Sequence, residues 1–146
     1  MSTKASNAYG WESPDIIHKY SVIWHSRLSF ILKEIEFLKS LLNNNIFPIV
    51  ESHLTNKAEQ YLEELSELKK EVSKLLQDVS MHKNGVKILF VKHEPNQNDW
   101  DYKHEHRKLM IKMHEFDSKY QIIKKEIFRV VKDAIRHQKQ KRIASL

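Results

Sequence analysis

From Tyr102 onward the chain sets an apolar residue, an aromatic or a histidine at alternating steps of four and three. The positions are Tyr102, His106, Leu109, Met113, Phe116, Tyr120, Ile123, Ile127, Val130, Ala134 and His137. An α-helix gathers such positions onto one stripe, because its turn of 3.6 residues lies between the two steps; a strand would need a period of two. Asp99 is a residue type that caps helix starts. A helix is therefore expected over about 99–140, roughly 60 Å long at 1.5 Å per residue.

Two earlier segments carry the same spacing. Ile17, Trp24, Ile31 and Leu38 recur every seven residues, with Leu28, Ile35 and Leu42 between them. Ser13 can cap this helix and Pro14 suits its first position. The run 43–45 is Asn-Asn-Asn, and asparagine tolerates the left-handed conformation that closes helices. The second seam runs Leu54, Ala58, Tyr61, Leu65, Leu68, Val72, Leu75, Val79 and His82. Pro48 is expected to open this helix, and Asn84 with Gly85 to stop it. Glu59, Glu63, Glu67 and Lys70 fall on its solvated side.

The expected fold is all-α: an antiparallel up-down-up bundle of three long, heptad-patterned helices spanning about 14–43, 48–83 and 99–140. Residues 1–12 read as a flexible tail, 13–146 as a single domain, and 84–98 as a connector. Within that connector, residues 86–91 (VKILFV) form an apolar run with Pro95 in a following loop. Two glycines and three prolines in 146 residues leave little turn material for a β fold. The absence of cysteine excludes disulfides and thiolate chemistry. With no apolar leader and no span of about 18 apolar residues, the expected compartment is the cytoplasm.

Some apolar residues lie off the seams. Ile16, Ile23, Phe30 and Phe37 form a second seven-residue file, about 100° around the first helix. Ile111, Ile122, Phe128 and Ile135 lie off the seam of the last helix. Apolar surface of this kind requires a cover, so Ile16, Ile23, Phe30 and Phe37 are assigned as an oligomer interface. The expected partner is a second copy or another helical protein.

Nine histidines form an unusual complement, but none shows the linear spacing of a zinc or iron motif. An up-down-up bundle would gather several at one end, near Trp11, Trp24, Trp100 and His93. His82 and His106 lie on their seams and should point inward. His18 and His25 flank the first seam, while His104 and His114 fall outside theirs. A speculative metal set is therefore His18, His25, His82 and His106 with Asp15 and Asp78, and zinc or iron as the ion. A pH-responsive packing layer is a second use of the same residues. Imidazoles satisfied by neighbours are the plainest reading.

The net charge of +6 resides in the last third: residues 1–98 balance at 12 basic against 12 acidic, whereas residues 99–146 carry 13 against 7. Lys125, Arg129, Lys132, Arg136, Lys139, Lys141 and Arg142 could contact anions or nucleic acid, as could Lys124, although no nucleic-acid recognition motif accompanies them. There is no phosphate loop and no nucleophile elbow, and the paired carboxylates Glu34/Glu36 and Glu63/Glu64 look like solvated faces. The sequence therefore points to a non-enzymatic interaction or scaffolding module without a cofactor. The alternatives are a metal-binding or pH-responsive bundle and a basic nucleic-acid-associated protein.

Overall fold

A computed structural model of the chain describes residues 13–92 and 97–145. Among these the protein is all-α, with four helices: α1 (Pro14–Asn44), α2 (Ile46–Glu51), α3 (Thr55–Lys92) and α4 (Gln97–Ala144). The proposed tail (1–12), Trp11, His93 and Pro95 lie outside the described residues. No described helix is long and apolar enough to cross a membrane.

α1 begins at Pro14, behind Ser13, whose hydroxyl accepts the Ile16 backbone N–H at 3.4 Å. Its end differs from expectation. Asn45 has φ −110°, outside the left-handed region. The Asn45 side-chain amide instead donates to the Leu41 carbonyl at 2.8 Å, satisfying one of the carbonyls a helix end leaves open.

The second long helix does not start at Pro48. Pro48 lies buried inside the short helix α2, in the first turn, where its missing N–H has no intrahelical acceptor to lose. The direction change comes later. His53 stands at φ 58°. Its N–H donates to the Val50 carbonyl at 3.1 Å, and the Leu54 N–H to the Ile49 carbonyl at 3.0 Å. That pair of bonds around one left-handed residue is a Schellman closure, here with histidine where glycine is usual.

The helical stop at Asn84 and Gly85 is also corrected. α3 continues through both to Lys92, so residues 86–91 are helical rather than part of a connector. Val86 and Leu89 carry on the three-four step from His82, and a single glycine costs a helix only about 1 kcal/mol. Asp99 likewise falls inside α4 and not before it.

The chain divides into two compact units, one of Met1–Phe30 with Ser73–Glu115 and one of Ile31–Val72 with Phe116–Leu146. The core of the first takes Ile17, Trp24 and Leu28 from α1, Leu75 and Val79 from α3, and Leu109 and Met113 from α4. Ser21 is also buried, its hydroxyl donating to the Ile17 carbonyl at 2.8 Å.

The core of the second unit takes Ile31, Ile35, Leu38 and Leu42 from α1 and Ile49 from α2. Ala58, Leu65, Leu68 and Val72 come from α3, and Phe116, Tyr120, Ile127, Val130 and Ala134 from α4. Here Tyr61 pairs with Glu126 and Glu71 with Lys119, so α3 and α4 run antiparallel. Glu34 reaches both Tyr120 and Lys124, which sets α1 beside α4. Glu34 is thus a half-buried acceptor, unlike the solvated face expected of it. Glu36 is exposed, and Lys69 at 2.8 Å holds its carboxyl below the usual range.

Candidate functional site

Within the first unit, α3 and α4 bring His82 and His106 together. His82 is 1% exposed and His106 0%. Their Nε2 and Nδ1 atoms are 3.1 Å apart, with ring centroids at 5.2 Å and planes 22° apart. This is an edge-to-edge meeting of two imidazoles. One nitrogen donates and the other accepts, so the two tautomers are fixed relative to each other.

An aromatic ring stacks on each histidine. Trp24 of α1 lies 4.7 Å from His106 with planes 20° apart. Tyr102 of α4 lies 5.0 Å from His82 with planes 21° apart, and its hydroxyl donates to the His82 carbonyl at 3.3 Å. Tyr20 stands 6.2 Å from both Trp24 and His106.

Gly85 makes this arrangement possible. A Cβ at that position would fall 1.1 Å from the Tyr102 hydroxyl and 2.3 Å from its ring carbon. The glycine read from sequence as a helix stop is instead the space in which Tyr102 lies across α3.

Burial keeps both imidazoles neutral. Removal from water pushes His82 down to about 4, and burial, aided by His82 itself, pushes His106 down to about 4. Burial, then the nearby Glu105 carboxylate, raises the Tyr102 hydroxyl. The interior is therefore an uncharged polar layer in an otherwise apolar core, and charging both histidines would set two N–H groups against each other at 3.1 Å.

The wider metal set is not brought together. His18, His25 and Asp78 are half-buried and Asp15 is exposed. Among the described residues, no group of three or more histidine or carboxylate side chains is placed to hold a metal ion. Helical phase sorted the opening of α4 as expected: His104 and His114 are exposed and His106 is buried. His137 departs from it. The seam position is exposed, as is every residue of α4 from Ile135 to Ala144 except Gln138.

The other candidate residues lie on surfaces. On α1, Ile16 is half-buried while Ile23, Phe30 and Phe37 are 49%, 54% and 55% exposed. On α4, Lys125, Arg129, Lys132, Arg136, Lys139, Lys141 and Arg142 are all exposed, whereas Lys124 is half-buried against Glu34 at 2.9 Å.

The second unit also holds two open grooves of opposite rim charge, which sequence reading did not single out. One is floored by Leu41, Phe128 and Val131 and edged by Lys132, Arg136 and Lys139. The other is floored by Leu68, Ile122 and Ile123 and edged by Glu63, Glu64 and Glu67, with the paired Lys119 and Glu71 also lining it. Pairing between α3 and α4, which creates the second, is not encoded in either helix alone. Compared with known protein families, curated proteins and solved structures, the chain matches none.

Proposed function

We propose that this protein is a non-enzymatic interaction or scaffolding module that associates with a second copy or another helical protein through helix faces. The carrying observation is the seven-residue file on α1, where Ile23, Phe30 and Phe37 each leave about half their surface in water. Covering the exposed half of side chains of this size yields about 0.7–1.5 kcal/mol apiece, and helix faces with i, i+7 anchors are a common recognition mode. The reading includes an up-down-up arrangement of three long helices, coiled-coil-like packing, a dimer and a cytoplasmic setting. The α3–α4 register within each unit supports the first of these. Light scattering over a concentration series tests it: the wild type associates and Phe30→Glu is monomeric with unchanged helicity. A wild type that stays monomeric at every concentration removes the self-associating form.

A pH-responsive bundle is the second reading, favoured by the His82–His106 contact. The groups facing the pair are Tyr20 and Tyr102, with Glu105 near Tyr102. Burial opposes protonation of His82, and burial together with His82 opposes that of His106, so acid would loosen the layer. Hydrogen exchange of α3 and α4 at pH 7 and pH 5 tests this, faster exchange at pH 5 being expected in the wild type and absent in a His82→Phe/His106→Phe variant. Nucleic-acid binding rests on the exposed cations of α4 alone, and metal binding on the histidines of the first unit.

A further inference from the structure

Ile135–Ala144 forms the last turns of α4, and the only residue there that is even half-buried is Gln138. This segment is strongly basic and retains two exposed apolar anchors, Ile135 and Ile143, at 46% and 60% exposure. Eight residues separate the anchors, so they stand about 12 Å apart along one side of the helix. Between and beside them lie Arg136, Lys139 and Arg142. The acidic groove in the same unit offers the complement: an apolar floor of Leu68, Ile122 and Ile123 beneath Glu63, Glu64 and Glu67, enclosing about 580 Å³.

The tail cannot occupy the groove of its own chain. Ile122 and Ile123 are part of α4 itself, only a few turns before Ile135, and an unbroken helix cannot fold back on its own wall. An occupant of this chemistry must come from another molecule.

We propose that the C-terminal turns of α4 in one copy dock into the acidic α3–α4 groove of a second copy. Ile135 and Ile143 meet Ile122 and Ile123, while Arg136 and Lys139 face Glu63 and Glu67. The contact is heterologous: a docked pair leaves one tail and one groove unused, so association propagates head to tail unless it closes into a ring. It deepens the self-association reading but uses a surface distinct from the α1 file, so the two can fail separately.

The test uses the full chain in sedimentation velocity, with two sets of conservative variants on exposed positions. Glu63→Gln/Glu67→Gln neutralises the two facing carboxylates of the groove, and Arg136→Gln/Lys139→Gln the two facing cations of the tail. Each is expected to weaken association about tenfold, since two exposed pairs contribute about that factor together. Raising salt from about 0.05 to about 0.5 M should weaken the wild type in the same way. Mixed one to one, the variants retain one intact tail and one intact groove between them and should form dimers but nothing larger. A monomeric wild type, variants that associate like the wild type, or a mixture that recovers no dimer each overturn the proposal. If Phe30→Glu abolishes association while both glutamine variants leave it intact, the α1 interface stands and this one falls. The reverse pattern removes the α1 interface and keeps this one.

Discussion

The Nε2 of His82 and the Nδ1 of His106 meet at 3.1 Å in the interior, with Trp24 stacked on one ring and Tyr102 on the other. Folding thus places two titratable groups where only their neutral forms fit. In the unfolded chain they take up protons near 6.5, but in the folded chain only near 4. The unfolded state binds more protons between those values. Stability is therefore fully present above about pH 6.5 and falls as pH drops toward about 4, by up to about 1.4 kcal/mol per pH unit for each histidine. Urea midpoints measured from pH 8 to pH 4 should trace that decline, and a flat profile would contradict the buried pair.

Removing one partner should be worse than removing both. His106→Leu leaves His82 with a buried ring nitrogen facing hydrocarbon, an expected loss of about 1–3 kcal/mol beyond any packing change. Replacing both histidines by phenylalanine removes the need for satisfaction and should recover part of that loss. Urea denaturation of the single and double variants at pH 8 measures the difference.

Alanine for glycine inside a helix ordinarily stabilises by about 1 kcal/mol. Gly85→Ala should do the opposite, since its Cβ would collide with Tyr102. An expected loss of about 1–3 kcal/mol reflects the displaced ring. In a Tyr102→Ala background the same substitution should turn stabilising. A double-mutant cycle by thermal melting would expose a coupling of that kind, and additive effects would deny the close approach.

His53 occupies a left-handed conformation that costs a side-chain-bearing residue about 1–2 kcal/mol. His53→Gly should raise stability by about 1 kcal/mol and His53→Val should lower it. The transition temperatures of the three proteins order the outcome as Gly above His above Val.

Tyr120 is fully buried and donates its hydroxyl to Glu34, which also takes Lys124. Tyr120→Phe removes the donor while keeping the ring, an expected loss of about 1–3 kcal/mol because the acceptor is charged. A loss below about 0.5 kcal/mol in chemical denaturation would place Glu34 in water instead.

Much of the fold was legible because heptad spacing is a local signal. Ile17, Leu28, Leu65, Val79, Phe116 and Ile127 are core residues in the sequence pattern and in the structure. The turns were less legible. Pro48 and Gly85 each have two physical uses, one at helix ends and one inside helices, and only the surroundings select between them. Pro48 fits the first turn of α2, and Gly85 admits Tyr102. Val86 and Leu89, in phase with His82, were the available sign that α3 continues.

By itself, the sequence determined which stripe of each helix carries the core, His82 and His106 included, because rotation about a helix axis is set by residue number. It also determined where the charge lies. The tertiary structure alone decided that these two imidazoles meet while His18 and His25 do not join them. It also decided that His137 is exposed despite its phase, and that Glu63, Glu64 and Glu67 border an apolar groove. These are relations between different helices, or between a helix and the end of its partner. They depend on register and helix length across the packing, which no periodicity within one segment encodes.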